Sequence, residues 1–311
     1  MSARLPLFAL ALALAFPGDE PWTGWPGTRE VAEAFRDDVL LARDFEAAVH
    51  LCAPDFVFSD PTVGSYDPAL SQGIRGRGPA LEEMKGYGIR SASLALELDF
   101  TAGPYAVFYG RLSTHGASTV VDAPFLTVLR VDDERVAERT DYGDYDQLLP
   151  AEQRIDGLVT QRDHPLVKTA EAYLDAYARR EVAELSALLR ERATFHDPTA
   201  IVVGGGQIHS GRSEIAERLS QSFAETSDYR FAPSSRFFFG DHALFAGTSS
   251  YSVPGAPPGS DGDAVRFEVP LVVVLRIQDG LVVRHTEYAG HEDHLARLET
   301  VREQEREGEG L

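Results

Sequence analysis

Apolar positions along this chain recur first every four residues and then every two, and the whole succession occurs twice. Val31, Phe35 and Val39 follow a candidate N-cap, Thr28, at the spacing of one helix face. Asp44 is placed to cap a second helix with Phe45, Val49 and Cys52 inside. Phe56 to Asp60 (FVFSD) reads as a short strand stopped by Pro61. Alternate strand side chains share a face, so Phe58 and Asp60 point the same way. Thr62 to Gly78 reads as a loop, and Pro79 suits the first turn of a short helix. Strands follow over Tyr105–Thr114, Ala123–Val131 and Val136–Tyr142.

The second half keeps this order. Leu166, Ala170, Tyr173, Leu174 and Tyr177 form a helical stripe, Val182, Leu185 and Leu188 predict a second helix, and Ile215, Leu219 and Phe223 a third. Strands are expected over Phe237–Tyr251 and Phe267–Ile277. Motifs correspond across the halves: FSDPT (58–62) with FHDPT (195–199), GRGPALEEM (76–84) with GRSEIAERL (211–219), and RTDYGDYDQLL (139–149) with HTEYAGHEDHL (285–295). Asp279-Gly280 between apolar runs signals a two-residue hairpin loop. Counting back from it places Val274 opposite His285 and Val272 opposite Glu287; the same count places Val128 opposite Arg139 and Leu126 opposite Asp141.

The chain of 311 residues is long enough for two domains with separate cores. The repeat divides it into 28–149 and 164–298, joined by a polar linker at 150–163 and followed by a charged tail at 299–311. A formal net charge of −20 argues against a nucleic-acid partner, because gripping a phosphate backbone needs a basic face. Cys52 is the single cysteine, which excludes an internal disulfide; its helical spacing from Phe45 and Val49 suggests a buried structural thiol.

At the N-terminus, Leu5 to Phe16 is an uncharged run of twelve residues behind one positive charge. It is too short to span a bilayer and the right length for the apolar core of a signal peptide, and Ala13-Leu14-Ala15 offers a small-x-small cleavage pattern. The expectation is a signal peptide at 1–15, a flexible lead-in at 16–27, and an exported protein with no membrane contact after cleavage. An uncleaved tail on a cytoplasmic protein is the alternative.

Helix, helix, a strand ending in Phe-x-Asp-Pro, a small helix, then a bent sheet ending in (Arg/His)-x-(Asp/Glu)-Tyr resembles the nuclear transport factor 2-like superfamily, in particular its SnoaL-like branch. The resemblance covers both halves. It implies an α+β fold of two tandem cone-shaped (α+β barrel) domains, each with three N-terminal helices on a strongly curved antiparallel sheet. A pocket on the concave face would take a small hydrophobic molecule, with no cofactor. The superfamily includes ketosteroid isomerases, limonene epoxide hydrolases, scytalone dehydratases and polyketide cyclases, and also members that only bind, so the fold does not choose between catalysis and binding. Members often pair through the outer sheet face. Both faces of Leu271 to Ile277 are apolar, so an intramolecular pseudo-dimer is expected.

Carried over by motif, Phe58, Asp60, Arg139 and Asp141 fall in the first pocket, and Phe195, Asp197, His285 and Glu287 in the second. A carboxylate facing an apolar cavity is expected to have its pKa raised toward values useful for proton transfer. His285 and Glu287, two residues apart on one strand face, suit a proton shuttle, whereas Arg139 would keep Asp141 ionised, as a base or water activator. Against this, Arg139–Asp141 could be a solvent-facing ion pair worth little, and His285 and Glu287 could sit at an edge. Asp60 and Asp197 suit turns before proline equally well. His285, Glu287, His291 and His294 have a zinc-like composition. The first half, however, has Arg139, Tyr145 and Leu148 at three of those places, so no metal is expected.

Overall fold

The computed structural model describes residues 25, 27–64, 67–116, 120–144, 164–203, 205–253 and 265–292. The expected signal peptide, linker and charged tail, together with Tyr145, Leu148 and His294, lie outside the described residues. The chain divides into two compact units, the first holding Thr23–His164 and the second Pro165–Arg236 and Ala243–Leu311.

In the first unit, α1 (Thr28–Ala34) continues as a π-helical stretch, Phe35–Leu41, and α2 (Phe45–Leu51) comes next. Gly27 rather than Thr28 is the N-cap residue of α1. Asp44 caps α2 as expected, accepting from the Glu46 and Ala47 N–H groups. Two expectations for α2 fail. Val49 is exposed, and Cys52 begins strand β1 (Cys52–Ser59) instead of ending the helix. The thiol is nonetheless buried, and burial pushes its pKa up to about 12. The expected loop after Pro61 contains a 3-10 turn (Pro61–Val63), α3 (Pro68–Gln72) capped by Asp67, and β2 (Ile74–Arg75). Then come α4 (Arg77–Gly86), β3 (Ser91–Ala102), β4 (Tyr105–His115), β5 (Val120–Asp132) and β6 (Arg135–Gly143). Strand β3 is an addition to the strands expected from the sequence, although Leu94, Leu96, Leu98 and Phe100 alternate along it.

The second unit repeats the series with α5 (Pro165–Ala178), α6 (Val182–Leu188), β7 (Leu189–His196), a 3-10 turn (Pro198–Val203), β8 (Ile208–Ser210) and α7 (Arg212–Glu225). Its last four strands are β9 (Ser227–Phe239), β10 (His242–Val253), β11 (Val265–Gln278) and β12 (Leu281–Ala289). The single strand expected over Phe237–Tyr251 is two strands, broken at Gly240-Asp241.

Each unit holds one open six-stranded sheet, ordered β2-β1-β6-β5-β4-β3 and β8-β7-β12-β11-β10-β9. The sheets are not wholly antiparallel: β1 runs parallel to β6, and β7 to β12. Curvature is built in the same way in both. A bulge between Leu96 and Leu98 bends β3 over β4 opposite Gly110, where any Cβ would lie 2.0 Å from the Ala95 carbonyl oxygen. Gly247 faces Ala232 as closely in the second unit. In the first unit the core packs Phe35, Val39 and Met84 of the helical layer with Phe56, Phe58, Phe108, Leu129 and Val136 of the sheet.

The β5–β6 and β11–β12 hairpins turn on two residues with positive φ, Asp133-Glu134 and Asp279-Gly280, which matches the right-handed twist of the strands. The register expected from that loop nevertheless holds for only two pairs. A bulge between Arg276 and Ile277 shifts it, so His285 faces Leu275 and Glu287 faces Val273. The matching bulge between Arg130 and Val131 puts Arg139 opposite Leu129 and Asp141 opposite Thr127. Strict alternation from buried Val136 would turn Arg139 outward; one bulged residue brings both to the helix-covered side.

Candidate functional sites

Each unit encloses a cavity between its helices and the concave sheet face, about 390 Å³ in the first and 430 Å³ in the second.

In the first cavity Arg139 and Asp141 are 4% and 2% exposed, which rules out a solvent-facing pair. Arg139 grips the carboxylate with both arms, Nε to Oδ1 at 2.9 Å and Nη2 to Oδ2 at 2.5 Å. Its guanidinium lies over the Phe58 ring at 4.8 Å and the Phe35 ring at 5.9 Å. Arg43 also lines the cavity and donates to the Met84 carbonyl. Burial, followed by the charge of Arg139, lowers its pKa to about 10. Tyr87 on the same wall is pushed well above the ordinary phenol range by burial and then by Asp141, so it stays a phenol.

Asp60 is buried but turned to a different task. It caps the 3-10 turn, accepting from the Thr62 N–H and hydroxyl, while Thr62 Oγ1 accepts from the Gly143 N–H at 3.3 Å. Thr199 links Asp197 and the Ala289 N–H in the same way. The Asp-Pro-Thr motif therefore ties the turn after β1 or β7 to the end of β6 or β12.

In the second unit His285 does not line the cavity but lies fully buried behind its wall, boxed by Phe195 at 4.7 Å, Tyr177 at 5.4 Å and Tyr173 at 5.5 Å between ring centroids. The Tyr173 hydroxyl lies 3.0 Å from Nδ1. Glu287 Oε1 lies 3.0 Å from Nε2 but off the line of a hydrogen bond, so both atoms are buried without a hydrogen-bond partner among the described residues. Glu287 is 7% exposed and lines the cavity, as do Tyr177 and Tyr229. Burial and then Glu287 raise the pKa of Tyr173, Tyr177 and Tyr229, so all three stay protonated.

Asp197 lines the same cavity and meets His291 Nε2 at 3.3 Å through Oδ2. The expectation of a raised carboxylate pKa fails here. Burial does push Asp197 up, but His291, the Thr199 hydroxyl and the Ala200 N–H outweigh it, and the group titrates below its ordinary value. The sequence pattern marks His291 only as a metal candidate, and among the described residues no group of three or more His, Cys, Asp or Glu is placed to hold a metal ion. Periodicity marks Tyr173 and Tyr177 only as core stripe. The available signal is their hydroxyls, which need partners when buried.

Helices closing one side of a curved six-stranded sheet over a cavity define the α+β cone architecture. The SnoaL-like domain family matches residues 31–139 and again 170–285, and the chain belongs to that family as two tandem copies. Several solved structures are similar to parts of this chain. A candidate SnoaL-like polyketide cyclase from Shewanella putrefaciens CN-32 is 19% identical, with 44% of this chain and 98% of that one covered at a TM-score of 0.39. A second, from Shewanella denitrificans OS-217, is 18% identical over 43% and 97% at 0.38. A hypothetical protein of ketosteroid isomerase-like fold from Catenulispora acidiphila, in complex with trimethylamine, is 21% identical over 39% and 84% at 0.33. No curated protein matches the chain.

Proposed function

We propose that the second unit is a cofactor-independent acid/base catalyst acting on a small hydrophobic molecule, by isomerisation, cyclisation, dehydration or epoxide opening, with Glu287 as the base. The observation behind this is that Glu287 lines the cavity while one of its oxygens, Oε1, is buried against His285 Nε2 without a hydrogen-bond partner among the described residues. A carboxylate so placed suits taking a proton from a molecule in the cavity. His285 beside it shares that proton, and the Tyr177 and Tyr229 phenols suit stabilising negative charge that develops on the molecule. Incubation with 2-tetralone in deuterium oxide, followed by NMR, tests this. Wild type should exchange the α-protons faster than buffer does, and Glu287→Gln should lose on the order of 100-fold of that rate. No exchange above buffer, or exchange indifferent to the substitution, sinks the reading.

For the first unit the geometry favours binding without turnover. Both Asp141 oxygens are held by Arg139, so this carboxylate is not free to act as a base, while the cavity still has the volume for a small apolar molecule. We also propose export, on the strength of the apolar run Leu5 to Phe16. Among the described residues, no helix is long and apolar enough to cross a membrane.

A further inference from the structure

The two cavities treat their arginines differently. In the first, Arg43 and Arg139 are both committed, to the Met84 carbonyl and the Asp141 carboxylate. In the second, Arg218 lines the cavity and makes no ion pair or hydrogen bond among the described residues. It stands on α7 where the matching motif of the first unit has Glu83, a reversal of charge between two copies that keep Gly76/Gly211 and Arg77/Arg212 unchanged. Of the two carboxylates that line the cavity, Asp197 is engaged by His291, Thr199 and Ala200, and Glu287 lies against His285. Arg218 is half-buried, while Glu287 and His285 are buried. The cation is therefore on the more exposed part of the lining and the base on the more buried part, with Phe195, Phe223 and Tyr251 among the walls.

We infer that the second cavity takes an aromatic or polycyclic molecule carrying a carboxylate, held by Arg218 at the mouth with its apolar body directed toward Glu287. This rests on the catalytic reading of that cavity and adds the class of substrate. An arginine fork matches a carboxylate with two parallel hydrogen bonds, and pairing inside a partly enclosed, aromatic-walled site is less screened than at an open surface.

Calorimetric titration of the full chain at pH 7 and low ionic strength tests it, with 2-naphthoate and its neutral isostere 2-naphthamide as probes. Naphthoate should bind about tenfold more tightly than the amide. Arg218→Gln should bring the two within about twofold of each other by weakening naphthoate alone, and Arg218→Lys should restore part of the preference. Equal affinities in wild type, no binding of either probe, or a preference that survives Arg218→Gln each overturns the inference. A preference without α-proton exchange sinks only the catalytic reading, and exchange without a preference sinks only this one.

Discussion

Arg139 and Asp141 differ from His285 and Glu287 by two side chains at matching positions, yet the consequences differ in kind. A guanidinium fork occupies both oxygens of the carboxylate, whereas an imidazole approaching one oxygen off-line leaves it unsatisfied. Removing one member of the buried pair should expose its cost. Arg139→Met leaves the Asp141 carboxyl buried without its partner, and should lower stability by roughly 3–5 kcal/mol in urea unfolding. The double variant Arg139→Met/Asp141→Leu should recover most of that loss. A single substitution costing under about 1 kcal/mol would show that the pair contributes little. At this scale the sequence is legible in part. That Phe58, Arg139 and Asp141 belong to one site is readable from motif order, and that Arg139 and Asp141 share a strand face from their spacing of two. That Asp60 serves a turn is not, because a carboxylate before proline suits a pocket or a cap equally well. The partner that decides it, the Thr62 hydroxyl, acts only once β6 lies alongside.

Among the elements, the helix stripes, the Asp44 cap and the Asp-Gly hairpin can be read directly, since each is set by neighbours within a few residues. Irregularities cannot. The bulges in β6 and β12 reverse the facing that simple alternation predicts, and they exist because a curved sheet must shed register somewhere. The π-helical stretch is another. Between Phe35, which meets Arg139, and Arg43, the first unit has one residue more than the second has between Tyr173 and Arg180. The wider π turn takes up the extra residue without rotating the chain beyond it. Deleting Leu41 should therefore convert this stretch to the α-helical form seen in α5, with a melting temperature within about 5 °C of wild type. In an ordinary helix the same deletion turns every later residue by about 100° and ruins the core. Loss of the cooperative transition would refute the equivalence of the two helices.

For the whole molecule, each unit carries its own sheet, helices and core, the condition for folding alone. Leu271 to Leu275 places apolar side chains on both faces of β11, and the helices of its own unit suffice for one. We propose that the second face pairs with its counterpart in the other unit, a pseudo-dimer within one chain. Fragments 25–144 and 164–292, expressed separately and mixed, should each unfold cooperatively and co-elute as a one-to-one complex in size-exclusion chromatography; separate elution would count against pairing. By itself the sequence determined the duplicated order of elements, the family and the residues that differ between the copies, because periodicity, turn chemistry and motif order are local properties of the chain. Only the tertiary structure decided which way those residues face, that Arg139 holds both Asp141 oxygens while Glu287 Oε1 lies buried without a hydrogen-bond partner among the described residues, and that Asp197 belongs to His291. Each of these depends on a bulge, a strand pairing or a partner that folding alone brings within a few ångströms.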